Sequence, residues 1–218
     1  MDLKKTIDIV CDCAKQYEQN LALKNLFFLY CSDGKYYGLE VVFHNENFLH
    51  LTGLNCKTMN AEVFFSACKS KKLSPTEIVQ PVKSTVAMKL QVLKILTNIQ
   101  TTARMLGDFN KNGFMLQTDK IVGNTVGCLG FSLDKKTGFH FPKTALKEDV
   151  RKMTYGEIGT IVAILRKPIS ERFYKEITYI KPDIEISKLP LPAQITSRLD
   201  PALFPENVIK RNRNRDCR

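Results

Sequence analysis

The sequence predicts an α+β fold in which helices pack on one side of an antiparallel sheet. Apart from one hairpin, helical periodicity dominates up to residue 106, whereas short β-rich runs follow Gly113. This segregation argues against a parallel α/β winding, in which strands and helices alternate. We expect one α+β domain over residues 1–181 with an N-terminal helical part. An arm over residues 182–218 follows, first Pro-rich and then basic.

The N-terminal part combines one helix and one hairpin. A helix is predicted from Asp2, which is placed to cap it, to about Leu21. Its apolar residues recur in alternating steps of four and three: Leu3, Ile7, Val10, Ala14, Tyr17 and Leu21. The runs NLFFLYCS and KYYGLEVVF come next. The Asp33-Gly34 pair between them favours a tight β-hairpin, because it tolerates positive φ angles.

The segment FHNENFLHLTGL, residues 43–54, holds two of the three histidines of the chain. It is predicted to form a short helix that Asn45 caps and Gly53 ends. We interpret His44, which precedes the cap, as structural. His50 lies inside the predicted helix and is the histidine of greater interest.

Residues 58–106 are expected to be mostly helical. MNAEVFFSACKSKK is amphipathic, and SPTE at residues 74–77 is a capping box with proline in the first helical position. A long helix with a broad apolar face is predicted from about Ser84 to Leu106. The segment GDFNKNG, residues 107–113, is expected to break the helical pattern.

The C-terminal half is expected to form an antiparallel meander. Strands are predicted at GFMLQ, TVGCLGFSL, GFHF, GTIVAILRK and RFYKEITYI, with a turn at residues 136–138. KTALKEDVRKM, residues 143–153, is compatible with a short helix or an irregular crossover. The Pro-rich residues after Lys181 are expected to wrap over the body or to serve as a partner-binding arm.

The chain is strongly basic. Lys and Arg number 33 against 22 acidic residues, which gives a net charge of +11 and a pI near 9.3. Such an excess favours a polyanionic partner, and nucleic acid is the default candidate, although basic charge can also serve solubility alone. The tail KRNRNRDCR, residues 210–218, is interpreted as an electrostatic arm or as an ordinary disordered end.

Several classes of site are disfavoured. The chain has no GxxxxGKS/T, GxGxxG after a strand, GxSxG or HExxH motif, and we expect no cofactor. His44 and His50 are six residues apart and would not share a helical face, and no carboxylate cluster is evident, so no metal is expected. The seven scattered cysteines suggest no disulfide framework, and we interpret Cys11 and Cys13 as small core residues. Without a long apolar run or a signal-like N-terminus, we expect a cytoplasmic protein without membrane contact.

Metal-independent RNA cleavage remains compatible with the residues present. It requires a base for the 2′-hydroxyl, an acid for the leaving 5′-oxygen, and cations that hold the phosphate. His50 and His140 are candidates for proton transfer because histidine titrates near neutral pH, although an isolated histidine is more often structural. Arg166 at the end of IVAILRK is able to clamp a phosphate, or else it is a strand-end charge facing water.

Three separated motifs resemble a known family. FHNENFLHLTGL after the hairpin, then TDKIVGNTVGCLGFSLDKKTGFHFPKTALKEDVR, then IVAILRKPISERFYKEITYI are similar to the fourth phage-associated group of the barnase, EndoU, colicin and RelE-like nucleases. The resemblance covers roughly residues 25–181. It implies an α+β nuclease core with a curved antiparallel sheet, RNA as substrate and metal-free transesterification. It also implies a role in a prophage, mobile element or toxin system, where a neutralising protein partner is conceivable.

The resemblance also implies a set of site residues. Its catalytic candidates are His50, His140, Lys143 and Arg166, with one histidine as base, the other as acid, and the two cations on the phosphate. Its substrate-binding candidates are Lys120, Asn124, Ser132, Thr144 and Lys167. The alternative is an inactive nucleic-acid- or protein-binding module with an anti-defence or regulatory role. A third interpretation is an interaction protein whose Pro-rich arm swaps between subunits.

Overall fold

The computed structural model describes residues 2–80, 84–110 and 118–204. The strands in these residues are β1 (Lys24–Ser32), β2 (Lys35–Phe43), β3 (Met105–Phe109), β4 (Lys120–Gly123), β5 (Cys128–Leu133), β6 (His140–Leu146), β7 (Thr154–Pro168) and β8 (Glu176–Ile180). The α-helices are α1 (Leu3–Asn20), α2 (Asn47–Thr52), α3 (Ala61–Lys69), α4 (Ser84–Leu96), α5 (Ile99–Thr102), α6 (Val150–Met153) and α7 (Ala193–Thr196). Short 3₁₀ turns occur at Pro75–Glu77, Ile186–Lys188 and Pro201–Leu203. This mixture confirms the α+β class.

The sheet closes on itself. Its strand order is β1-β2-β6-β5-β4-β3-β7, and β7 pairs back with β1, which gives a closed seven-stranded barrel with β8 attached to β7. The expected curved sheet with helices on one side is therefore wrong in this respect. The long strand β7 makes closure possible, because its first half pairs with β3 and its second half with β1. The sequence shows such a strand only as one apolar run and does not identify its two neighbours.

The N-terminal predictions hold in detail. Asp2 caps α1 by accepting a hydrogen bond from the Lys4 N–H, and the apolar face of that helix is buried. Asp33 and Gly34 both have positive φ angles, +49° and +68°, at the turn between β1 and β2. Cys11 and Cys13 are buried and free, in agreement with a core role.

The helix in residues 43–54 begins later than predicted. It starts at Asn47 after a cap residue, Glu46, that makes no side-chain capping bond, so the predicted cap at Asn45 is wrong. The Asn47 side chain instead accepts a hydrogen bond from the His44 N–H at 2.8 Å. Gly53 ends the helix in the left-handed conformation, as predicted.

The predicted long helix is broken twice before Leu106. Helix α4 ends at Leu96, where the side chains of Thr97 and Asn98 both bond back to the Lys94 carbonyl, a local bond that competes with helix continuation. The expected breaker at residues 107–113 begins instead inside a strand. Gly107 belongs to β3, where a β-carbon would lie 2.7 Å from Thr154 Cγ2 on the neighbouring strand.

The other predicted elements agree with the structure only in part. Strand β6 extends through residue 146, so the first part of KTALKEDVRKM is strand, and α6 follows with Asp149 as its cap. The predicted strand GFMLQ and the basic tail at residues 210–218 lie outside the described residues. SPTE forms a 3₁₀ turn that Ser74 caps.

Two faces of the strands carry separate apolar clusters. Helices α1 to α4 pack with residues such as Phe28, Val41 and Phe43 in the larger cluster. On the other face, Phe27 and Leu29 are covered by residues 186–204, through Ile186, Ile195, Leu199 and Phe204. Among the described residues, no helix is both long and apolar enough to cross a membrane.

Tyr17 connects the helices to the end of β2. Its ring is fully buried and contacts the rings of Phe43, Phe48 and Phe65 at centroid distances of 6.1, 5.2 and 5.6 Å. Its hydroxyl donates a hydrogen bond to the His44 carbonyl at 2.8 Å. Three helices and one strand end therefore meet at one side chain.

We expect Tyr17→Phe to lower the free energy of unfolding by about 1 kcal/mol, because the ring contacts remain and one hydrogen bond is lost. Chemical denaturation measures this change. Tyr30→Phe is the matched control, since the Tyr30 hydroxyl has no hydrogen-bond partner among the described residues. Equal effects of the two substitutions would contradict the role assigned to the Tyr17 hydroxyl.

Candidate active site

A cleft of about 650 Å³ opens where α2, the end of β2 and the start of β6 come together. Its polar and charged lining includes His44, Glu46, Asn47, His50, Lys143 and Lys167. Phe139 and Phe141 add aromatic surface. The cleft thus combines imidazoles, cations and aromatic rings in one concave site, the usual setting for a ligand.

The His44 segment is held rigidly by its backbone. The His44 N–H donates to Asn47 Oδ1, and its carbonyl accepts from the Tyr17 hydroxyl and from the Asn47 N–H. The side chain is exposed and lines the cleft. A fixed backbone with a free imidazole suits a group that must meet a ligand.

His50 lies in the last turn of α2 and faces cations. The Lys89 ammonium donates to the His50 carbonyl at 3.2 Å, and the Lys89 stem packs against Gly53 at the end of the helix. Partial burial of the imidazole is the largest cause that lowers its pKa, followed by the charges of Lys143 and Lys89, against an opposite effect of Glu46. The neutral imidazole is therefore favoured, and a neutral imidazole can accept a proton.

Lys143 occupies a β-bulge. Gly130 pairs with Thr144 and Phe131 with Pro142, so Lys143 is the extra residue between two registered pairs. The exposed Lys143 ammonium lies 5.9 Å from the centre of the Phe141 ring. Phe139, Phe141 and Lys143 follow one another at two-residue spacing, so they lie on the same side of the strand and line the cleft together.

Lys167 is almost fully buried, with 7% of its surface exposed. Its ammonium donates to the carbonyls of Glu171 and Arg172 and lies 5.1 Å from the centre of the Tyr174 ring. Burial is the main cause that lowers its pKa, and the Glu40 carboxylate opposes it. This cation is held in one place at the wall of the cleft.

His140 and Arg166 do not line the main cleft. Gly138 and His140 line a separate pocket of about 240 Å³ beside Glu40 and Arg198, whereas the alternate residues Phe139 and Phe141 line the main cleft. Burial is the largest cause that lowers the pKa of His140. The Arg166 guanidinium forms a two-point ion pair with Glu176 and donates to the Asn20 carbonyl. Of the four catalytic candidates, the structure brings together His50 and Lys143.

The other substrate-binding candidates are distributed over the barrel. Lys120 pairs with Asp108 at 2.6 Å, beside another pocket. Asn124 holds a turn, since its side chain donates to the Thr102 carbonyl and accepts from the N–H groups of Val126 and Gly127. Thr144 is buried in β6, and Ser132 is partly buried in β5. Of this set, Lys167 is in the cleft.

Sequence reasoning missed His44 as a cleft residue. The spacing of six between His44 and His50 was judged by helical geometry, but His44 precedes the helix, so that rule does not apply to it. Glu46 and Asn47 also line the cleft and were not among the predicted site residues. Two histidines in one short segment that crosses a strand–helix junction were the available signal.

The described residues contain no group of three or more His, Cys, Asp or Glu side chains arranged to hold a metal ion.

We expect Lys89→Met to raise the pKa of His50, because a positive charge that disfavours the imidazolium is removed. NMR titration of the His50 ring measures the pKa directly. Lys147→Met is the matched control. The Lys147 ammonium contacts Gln91 on α4, the helix that also carries Lys89, and it does not bond to the His50 segment. A His50 pKa that falls, or that moves equally in both variants, would refute the assignment.

Comparison with protein families finds one match that covers most of the chain. The family described as phage-Barnase-EndoU-ColicinE5/D-RelE like nuclease4 matches residues 9–182, a range that includes every residue named above as lining the main cleft. No curated protein and no solved structure gives a significant match.

Proposed function

Because the chain belongs to the phage-Barnase-EndoU-ColicinE5/D-RelE like nuclease4 family, we propose that it is a metal-independent endoribonuclease. In this proposal, RNA is cleaved in the cleft that His50, Lys143 and Lys167 line. The observation that carries this proposal is the pairing of a pKa-lowered imidazole with an exposed ammonium in one cleft. The first can remove a proton, and the second can hold a phosphate.

The reaction assigned to the cleft is an internal transesterification. His50 removes the proton of the 2′-hydroxyl, and the resulting oxygen attacks the adjacent phosphorus. The bond from phosphorus to the 5′-oxygen breaks, and that oxygen takes a proton from a second imidazole in its protonated form, which leaves a 2′,3′-cyclic phosphate. We assign the second imidazole to His44, which lines the same cleft, rather than to His140, which lines another pocket.

The cations stabilise the charge that the phosphate gains. Lys143 is exposed at the mouth of the cleft, and Lys167 is fixed in its wall by two carbonyl acceptors. Donors that are already oriented need no reorganisation as the charge develops. Arg166 is committed to Glu176 and belongs to the scaffold in this proposal.

The biological setting is part of the proposal. A cytoplasmic ribonuclease of a prophage or mobile element would harm its host, so a neutralising protein partner would be required. The net charge of +11 is compatible with RNA as the polyanionic ligand.

We expect purified protein to cleave RNA in the presence of a chelator, and His50→Gln to lower the rate about 100-fold or more because the base is lost. Lys143→Met is expected to lower it roughly 100-fold through loss of phosphate stabilisation. Gel analysis of RNA with mapping of 2′,3′-cyclic phosphate ends measures both.

His140→Gln is the control, since it replaces a histidine that lines another pocket. Full activity of this variant is the expected result. A loss of activity equal to that of His50→Gln would instead indicate that His140 takes part in catalysis. Wild-type protein that binds RNA but cuts none with or without metal would favour the inactive binding module instead.

A further inference from the structure

We infer that Phe139 and Phe141 form a stacking platform for one unpaired nucleobase, so that the cleft takes single-stranded RNA and grips the base next to the phosphate it cleaves. This inference rests on the proposed function, because it names the substrate class of the same site. It assigns a binding role to two aromatic residues that the catalytic argument does not use.

The two rings are not needed for the core. Phe139 and Phe141 are partly exposed and line the cleft. Neither ring belongs to the three apolar clusters in the described part of the chain. Partly exposed aromatic rings that line a concave site are available to stack on a ligand.

The platform lies next to a phosphate-binding group. The Lys143 ammonium is 5.9 Å from the centre of the Phe141 ring. A base stacked on that ring therefore has its own backbone within reach of the same lysine. The juxtaposition matches one nucleotide, with an aromatic surface for the base and a cation for the phosphate.

Asn25 and its two strand neighbours form part of the wall of the cleft. Val42 and Lys167 are the cross-strand partners of Asn25 on β2 and β7, and all three residues line the cleft. Asn25 is 3% exposed, and its side chain adjoins the buried Tyr174 hydroxyl. Lys167 adds a second cation to the cleft that the two rings line.

The base must be unpaired. The two faces of a base in a duplex are already covered by its neighbours, and only its edges reach the grooves. A ring that stacks inside a cleft of about 650 Å³ therefore requires a base that has left the stack. Loops and single strands provide such bases.

A binding experiment separates the base from the phosphate. The probes are a short single strand of deoxythymidine, which lacks the 2′-hydroxyl and is not cleaved, and a fully abasic strand of the same length and charge. We expect wild-type protein to bind the base-containing strand about ten-fold more tightly than the abasic one. Phe141→Ala is expected to remove most of this difference and to leave the affinity for the abasic strand unchanged.

Tyr155→Ala is the matched control, because Tyr155 is an aromatic residue that is 71% exposed and lines a different pocket. It is expected to keep the ten-fold preference. Equal affinity of wild-type protein for both strands would overturn the inference. So would a preference that depends on Tyr155 and not on Phe141.

A fluorescent variant keeps the test valid if Phe141→Ala does not fold. The chain has no Trp, so Phe141→Trp introduces a single reporter that retains a stacking surface. Its emission is expected to be quenched by the deoxythymidine strand and unchanged by the abasic strand. Quenching by both strands, or by a DNA duplex as strongly as by the single strand, would contradict the inference.

The two proposals fail separately. Base-dependent binding by a protein that cleaves no RNA would refute the proposed function and keep the platform. Cleavage of RNA by a protein that binds both strands equally would support the proposed function and refute the stacking platform.

Discussion

The hydrogen bond from Tyr17 to the His44 carbonyl is the constraint on which the cleft depends. Tyr17 is on α1, and its ring packs against side chains from β2, α2 and α3. Because the carbonyl it holds lies between β2 and α2, the bond fixes the direction in which the chain leaves the barrel. Both cleft histidines follow from that direction: His44 precedes the turn and His50 comes one helix later. A buried aromatic side chain that does not line the cleft thus sets the positions of the two cleft histidines.

The pairing of β2 with β6 supplies the other half of the cleft. Strands β2 and β6 are far apart in sequence and meet in parallel through the Val41–His140 pair. That seam brings Phe139, Phe141 and Lys143 beside the end of β2. The β7–β1 pairing that closes the barrel brings Lys167 beside Asn25 in the same cleft. Lys143 follows Phe141 by two residues, so strand alternation places its ammonium on the same side as the two aromatic rings.

Local features were predictable from the sequence, whereas the neighbours of each strand were not. The first helix, the Asp33-Gly34 hairpin and the left-handed Gly53 follow from short-range patterns that the chain satisfies on its own. The break after Leu96 was missed because side-chain bonds from Thr97 and Asn98 compete with the helix without a glycine or proline. Of the predicted site residues, His50, Lys143 and Lys167 share the cleft, and His140 and Arg166 do not. No local pattern reports which strands close a barrel or where a bulge falls.

The adjacent residues Arg166 and Lys167 show how the fold divides neighbouring charges. Successive side chains of a strand point to opposite faces, so only one of the two can face the cleft. Arg166 lies on the face that carries Glu176, whose carboxylate accepts two hydrogen bonds from the planar guanidinium. Lys167 lies on the face of the cleft, where its side chain is buried from water and two backbone carbonyls accept hydrogen bonds from its ammonium. A desolvated cation attracts a phosphate more strongly than a hydrated one at the same distance, because the local dielectric is lower. The fold therefore engages the guanidinium in an ion pair within the scaffold and leaves the Lys167 ammonium as a fixed, buried charge at the cleft wall.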